Sequence, residues 1–352
     1  MTTSAKTSTH ESVPNTPRVS VVIPCYGCAD TITTVIDALQ AQSIQPLEII
    51  VVNDNSPDQL DQVIAPYLDD IIYIKHPTNQ GLARSYNDGL AQARAPYAMT
   101  LHSDCILDPN YIELLLEHME QNPQLGAVTG QYLFDEVTQL ALSDRMFMAL
   151  NRIPVLMDRT DRSVQAVNFI EGKADLFRRS VLEKYGFFNT NLALTAEDQE
   201  LSARMRRDGY LLLQDARTRF RVMFTKTSDS LGKVLYKQRT YARGQAYVML
   251  KFRGNAFSAT TQNRKERARH RLQQIAFPPL FTLSILVSLL IPAIWGLTVL
   301  LLLARCGMYY FMSSPFSMPD RLIAACLGPI ADVYYWFGAV EGVLKTVILK
   351  KT

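Results

Sequence analysis

The carboxylates best placed to do chemistry stand where apolar runs end. Asp54 closes LEIIVVND, Asp104 closes YAMTLHSD, and Glu197 with Asp198 opens the charged stretch EDQELSARMRRDGY. Carboxylates at strand ends can hold a diphosphate through a shared divalent cation. Each also has a plainer reading. Asp54 in NDNSPD suits an Asx turn, Asp104 a cap before CILDPNY, and Asp198, three residues after Thr195, part of a capping box. Cys25 and Cys28 form a C-x-x-C with no second pair at ligand spacing, so a strand-to-loop junction is favoured over a zinc or redox centre. No G-x-G-x-x-G follows the first apolar run, and no G-x-x-x-x-G-K-[ST] occurs anywhere. A dinucleotide fingerprint and a P-loop are thereby excluded.

The elements that must position these groups alternate regularly. VSVVIP (19–24), LEIIVVND (47–54), DIIYIKH (70–76), YAMTLHSD (97–104) and LGAVTGQYLF (125–134) read as strands. Their β-branched, continuously apolar character suits strands buried on both faces. Between them lie helical patterns: one capped by Asp30 with Ile32, Val35, Ile36 and Leu39 on one face, then PDQLDQVIAPYL, residues 81–93, and 109–121. Repeated βα units imply an α/β fold with a mostly parallel central sheet and helices on both faces. Ligands on such sheets bind beyond the carboxyl ends of the strands, which points at Pro24–Tyr26, Asp54 and Asp104.

At 352 residues, 48% hydrophobic and 20% charged, the chain is neither disordered nor a disulfide framework, and its length suits about two domains. Its net charge of +3 conceals a division: residues 1–216 carry −12, residues 217–271 carry +13 and residues 272–352 carry +2. Residues 1–17 are polar, lack an apolar signal core, and are expected to form a disordered arm. Between Leu272 and Pro319 the only charged residue is Arg305, and this length suits two membrane spans, near 272–291 and 293–312, broken at Pro292, with a re-entrant hairpin that does not reach the far side and a buried helical hairpin of a soluble domain as the alternatives. RKERARHR (264–271) precedes them, which places the foregoing domain on the cytoplasmic side of the inner membrane. A basic stripe beside an apolar hairpin favours anionic lipid over nucleic acid. Residues 322–349 are apolar but carry Asp332, Glu341 and Lys345, which suits an interfacial helix, with a third span as the alternative.

Five segments, in order and at fitting spacing, carry a resemblance: VSVVIPCYGCADTITTVIDALQAQS, EIIVVNDNSPD, NQGLARSYNDGL, LHSDCILDPNYIELL and the E-D of TAEDQELSARMRRDGY. Together they resemble a family 2 glycosyltransferase of GT-A fold over residues 18–253. YKQRTYARGQAYVMLKFRG resembles the segment before a C-terminal hairpin in membrane-bound members. The domains expected are therefore an arm (1–17), a GT-A domain (18–253), a basic juxtamembrane segment (254–271), a transmembrane hairpin (272–312) and an interfacial helix (313–352). The resemblance implies inverting transfer of a sugar from a nucleoside diphosphate sugar to a hydroxyl of a membrane-linked glycan or lipid acceptor. Asp54 matches the nucleobase-binding aspartate, Pro24 and Tyr26 the edge of that pocket, and Arg84 an arginine near the nucleotide. Asp104 matches the last aspartate of D-x-D, which ligates Mg2+ or Mn2+. His102 stands where the first aspartate is usual, giving H-S-D through Ser103, and brings no negative charge when neutral. Asp198 matches the catalytic base, with adjacent Glu197 orienting the acceptor. FIEGKADLFRRSVLEKYGFFN matches the acceptor side, where Gly172 suits a close backbone approach and Arg178 and Arg179 either face a phosphate or open a helix. Arg239 and Arg243 would meet lipid headgroups or an acceptor diphosphate. The Q-x-x-R-W of processive synthases is absent after Gln238, which implies a non-processive enzyme. Two alternatives remain: transfer to polyprenyl phosphate itself, and a non-catalytic nucleotide-binding membrane scaffold.

Overall fold

The computed structural model describes residues 16–133, 140–151, 162–170, 172–192, 196–223, 230–252, 264–314 and 316–348. The expected arm lies almost wholly outside the described residues, as do Thr195 of the capping-box reading and residues 254–263 of the basic segment.

The first half is the βα series. It runs β1 (Val19–Cys25), α1 (Ile32–Gln40), β2 (Glu48–Asn53), α2 (Leu60–Ile64), β3 (Ile71–Lys75), α3 (Leu82–Gln92), β4 (Tyr97–Leu101), β5 (Cys105–Leu107), α4 (Tyr111–Gln121) and β6 (Leu125–Leu133). There follow α5 (Leu142–Asn151), β7 (Val164–Ala166), β8 (Ala174–Arg178), α6 (Arg179–Tyr185), α7 (Glu197–Arg207) and β9 (Leu211–Val222). The sheet order is β3-β2-β1-β4-β8-β6-β9-β5, with β7 on β9. β3, β2, β1 and β4 are parallel, whereas β8 enters antiparallel between β4 and β6. Every residue of β1, β2 and β4 is buried. Alternation sends Val21 and Ile23 toward Ile32, Val35 and Ile36 of α1 on one face. Val22, Ile50 and Val52 pack with Tyr86 and Leu90 of α3 on the other.

Two expectations shift at loop boundaries. The fourth strand ends at Leu101 rather than Asp104, because His102 N–H donates to the Lys173 carbonyl (2.8 Å) and Cys105 N–H to the His102 carbonyl (3.1 Å), turning the chain. Asp30 does not cap α1. Thr31 occupies the cap position, and the Cys28 carbonyl accepts both Thr31 N–H and Ile32 N–H at 3.0 Å.

The C-terminal part is helical: α8 (Leu231–Phe252), α9 (Arg264–Leu290), a short turn at Pro292–Ile294, α10 (Trp295–Met312) and α11 (Met318–Val343), which continues as a π turn to Ile348. By length and composition, Ala268–Leu290, Pro292–Met312 and Met318–Ile348 are each able to cross a membrane. The break falls at Pro292, as expected, but the basic run belongs to α9 instead of standing apart from it. α11 is tied to α5 of the first half at one end and to α8 at the other. Arg145 of α5 donates to both oxygens of Asp320 (3.0 Å each), and Arg239 and Arg243 of α8 donate to Glu341 (3.1 and 3.2 Å). Gly338 and Gly342 let α11 lie directly on the α8 backbone, where a Cβ would meet the carbonyls of Arg239 and Arg243.

Candidate active site

The turn after β4 places His102, Ser103 and Asp104 at the carboxyl end of the sheet, with Met223 N–H bonded to the Asp104 carbonyl (2.7 Å). The His102 and Asp104 side chains are 30% and 39% exposed, Nδ1 and Oδ1 being 4.0 Å apart. The Cys105 thiol donates to Asp104 Oδ1 (3.5 Å), and one donor atom from each of His102, Asp104 and Cys105 lies within 4.8 Å of the others. Burial pushes the His102 pKa down to about 4, against the pull of Asp104 and with the push of Lys173. The ring is therefore neutral at pH 7 and keeps a lone pair for a ligand. Burial drives the Cys105 thiol well up, so it stays protonated. An imidazole nitrogen beside a carboxylate fits a divalent cation such as Mn2+.

Asp198 reaches the same place from another element. α7 starts after Ala196, which holds a left-handed φ of 70° and packs against Tyr247 and Val248 of α8. The first turn of α7 carries Glu197, Asp198 and Glu200 and its last turn Arg204, Arg206 and Arg207, the polarity a helix dipole favours. Asp198 Oδ1 accepts Gln199 N–H (2.7 Å). Gly172, at φ 71°, closes on this carboxylate: a Cβ there would sit 3.4 Å from Asp198 Cβ. The Gly172 carbonyl accepts the Tyr86 hydroxyl (3.1 Å), and the Tyr86 ring stacks on His102 at 6.4 Å. With His102 N–H on the Lys173 carbonyl, residues 172 and 173 join the H-S-D turn to the helix of the expected base. Glu197 Oε2 is buried without a hydrogen-bond partner among the described residues, and burial raises the pKa of this carboxyl.

Asp54 is buried at the end of β2. Its carboxylate accepts Gln80 N–H (2.7 Å), Gly81 N–H (2.8 Å) and His76 Nδ1 (2.7 Å). Burial pulls this carboxyl up, but those bonds outweigh it and hold the pKa below the usual range. Pro24 is buried in β1 and Tyr26 is 57% exposed just beyond it. Gly27 N–H donates to Ser56 Oγ (2.7 Å) and Ala29 N–H to Asp58 (2.8 Å), so the loops after β1 and β2 are joined. Arg84 is not brought to this cluster. Its side chain points outward and pairs with Asp88 (2.8 Å), while Tyr86, two positions on, turns in. Arg178 donates to the carbonyls of Met119 and Asn122, and Arg179 to the Ala95 carbonyl and Glu183, so both hold the fold together.

Three residues of the site escaped the sequence reading. Tyr86 falls on the buried face of α3, Lys173 in the turn before β8, and Tyr241 on α8. Burial raises the Tyr241 pKa, the charge of Lys173 opposes the rise, and Asp198 and Glu197 add to it. Only helical periodicity could have marked Tyr86 as inward, and nothing local marks the other two.

A curled mixed sheet with carboxylates at its carboxyl edge and a carboxylate-led helix has the architecture of the GT-A fold. Residues 20–186 match the family described as Glycosyl transferase family 2, and this part of the chain belongs to that family. It is 27% identical over 236 residues to a poly-beta-1,6-N-acetyl-D-glucosamine synthase of Staphylococcus aureus (strain MSSA476), a match spanning 66% of this chain and 56% of the relative. The corresponding synthase of Staphylococcus epidermidis (strain RP62A) is 26% identical over the same length. Thus the chain spans little more than half of the curated relatives it matches. Among solved structures, the mannosyltransferase PcManGT from Pyrobaculum calidifontis, in complex with GDP-Man and Mn2+, is similar in fold. Its TM-score is 0.57 at 16% identity, covering 94% of this chain and 88% of that one.

Proposed function

We propose that this chain is a membrane-associated, inverting and non-processive glycosyltransferase that moves a sugar from a nucleoside diphosphate sugar to a hydroxyl of a membrane-linked glycan or lipid. The observation that carries the reading is the approach of Asp198 to Gly172, one residue from the backbone bond that anchors His102. That arrangement faces a proton acceptor toward the turn that would hold the donor's diphosphate. Asp198 removes the proton of the acceptor hydroxyl as it attacks the anomeric carbon from the face opposite the leaving group. Glu197, whose carboxyl pKa is raised by burial, orients the acceptor. His102 and Asp104 would hold Mn2+ or Mg2+, whose charge offsets that of the departing nucleoside diphosphate. Pro24, Tyr26 and Ser103 line the donor side, and Asp54 sets the loop that closes it.

The same reading extends to the membrane. α9 and α10 form the spanning hairpin (272–312). α11 lies in the interface rather than crossing, since both its ends are bonded to α5 and α8. The catalytic domain then faces the cytoplasm beneath the inner membrane, and the uncompensated part of the basic segment meets anionic lipid. Arg239 and Arg243 pair with Glu341 and Arg271 bonds Asn151 (3.0 Å), so these three serve the fold before any headgroup.

The test is a panel of nucleoside diphosphate sugars offered to purified protein in detergent with membrane-lipid acceptors, comparing wild type with Asp198→Asn. The variant should bind donor with wild-type affinity while turnover falls by about 10²–10⁴-fold, the usual contribution of a positioned general base. Equal turnover in the two proteins would remove Asp198 from its role.

A further inference from the structure

α9 begins as a basic run and turns apolar soon after Arg271. That guanidinium is buried, at 8% exposure, yet only neutral groups hold it. It donates to the side-chain oxygens of Gln274 (2.7 Å) and Asn151 (3.0 Å), and it lies 4.9 Å from the centre of the Tyr335 ring. Among the described residues no carboxylate pairs with it. The contacts run on from Gln274 through Tyr309 to Asp332, but Arg305 already donates to both oxygens of that carboxylate. This buried set therefore holds two guanidiniums against one carboxylate. A charge withdrawn from water without a counter-ion is costly, and the amides that fix Arg271 leave its charge uncancelled. Of the five N–H groups a guanidinium offers, those bonds take two, so donors remain for an anion.

A second feature adjoins the first. One turn further along α9, Ile275 lines an open-sided hollow of about 330 Å3, together with Ala242 and Gln245 of α8 and Tyr335, Trp336 and Val340 of α11. Its walls are almost wholly apolar. Tyr335 belongs to both features, since its ring carries Arg271 and its hydroxyl donates to Gln245 in the wall of the hollow. From Arg271 to Ile275 is also the direction in which α9 passes from its basic run into its apolar length. A cation at that boundary and an apolar hollow one turn deeper match the two ends of a lipid phosphate. A neutral lipid chain would fill the hollow and leave Arg271 unanswered, whereas a free phosphate would answer Arg271 and leave the hollow.

We propose that Arg271 and this hollow form a binding site for a lipid phosphate, with the phosphate on the guanidinium and a hydrocarbon chain between α8, α9 and α11. This rests on the membrane-associated reading and adds to it one defined lipid site, distinct from general attraction of the basic segment to the bilayer surface.

Of the chain's two tryptophans, Trp336 lines the hollow and Trp295 opens α10, so Trp295→Phe leaves a fluorescence signal that reports the hollow. The full chain with that substitution, in detergent, is titrated with phosphatidic acid carrying brominated chains, which quench tryptophan on contact. A parallel titration uses diacylglycerol with the same chains, which lacks only the phosphate. Phosphatidic acid should quench at about tenfold lower mole fraction, the worth of one charged hydrogen bond to phosphate. Arg271→Met should erase that preference and Arg271→Lys should keep most of it. The diacylglycerol curve should stay unchanged in both, which shows that the helices still pack. Equal quenching by the two lipids in the parent protein overturns the proposal, whether or not the methionine variant folds, and so does a preference that survives Arg271→Met. Excess inorganic phosphate should leave the quenching in place; relief by it would assign Arg271 to a free anion and overturn the lipid. If neither lipid quenches Trp336, it is the membrane-associated reading that falls, and the proposal with it.

Discussion

Asp54 shows how one carboxylate can serve both the fold and a ligand. It accepts three N–H groups, from Gln80, Gly81 and His76, and a carboxylate has about four acceptor positions, so about one remains, which the proposed function would give to a nucleobase. Asp54→Asn leaves a single acceptor oxygen and an NH2 turned against a backbone donor. The substitution should cost about 1–3 kcal/mol, read as a lower melting temperature of the detergent-solubilised protein. The pH dependence follows from the depressed folded-state pKa. The stabilisation by Asp54 is whole above the unfolded value, near 3.8, and is lost as pH falls through the lower folded value. The acid limb of the stability profile should therefore flatten in the asparagine variant. His102 makes a second residue-scale test. An imidazole favours later transition metals, whereas Mg2+ prefers carboxylate oxygen. His102→Asp should thus raise the thermal stabilisation given by Mg2+ with nucleoside diphosphate relative to that given by Mn2+, and no change in that ratio would take His102 out of the metal site.

At the scale of elements, the legible part of the fold is the part in which burial is written locally. β1, β2 and β4 are continuous apolar runs because both their faces are covered, and their ends locate Asp54 and Asp104 without any knowledge of the sheet. β8 and β9 are not legible in that way. β9, LLLQDARTRFRV, alternates between buried and exposed positions and carries Asp215 and Arg217 as a pair, so its composition reads as polar. The insertion of β8 antiparallel between β4 and β6 brings Gly172 and Lys173 to the H-S-D turn, and no periodicity encodes that long-range pairing. The stacking of α11 on α8 was equally hidden, because it depends on Gly338 and Gly342 meeting the backbone of a helix about a hundred residues earlier. Gly338→Ala should force the two helices apart at a cost of about 1–3 kcal/mol, the usual penalty of overpacking. Limited proteolysis would then release the C-terminal segment earlier than in the wild type, and an unaltered digestion pattern would argue against this seat for α11.

Across the whole molecule, the division of charge between an acidic first half, a basic collar and a nearly uncharged tail is bridged at a few defined points. Arg305, the single charge in the stretch from Leu272 to Pro319, is one of them. It donates to both oxygens of Asp332 on α11 (2.6 and 2.9 Å), and the Tyr309 hydroxyl donates to the same carboxylate (2.6 Å). Both charged side chains are buried, at 5% and 0% exposure, so neither meets lipid or water directly. A continuing set of polar contacts runs from Tyr309 to Gln274 and Arg271 of α9 and on to Asn151 of α5. Helices apolar enough for a bilayer are thereby held at a defined angle to the domain that carries Asp198. Breaking this buried pair from one side leaves an uncompensated charge, so Arg305→Met should destabilise the detergent-solubilised protein by about 3–5 kcal/mol. Replacing both partners, Arg305→Met with Asp332→Leu, removes the stranded charge and should recover most of that loss, because two apolar side chains need no desolvation. Carbonate extraction should leave both variants in the membrane fraction, since the apolar length of α9 and α10 is unchanged. A double variant as unstable as the single one would instead assign the stability to the orientation of Tyr309 by Asp332, and Tyr309→Phe would then reproduce the loss.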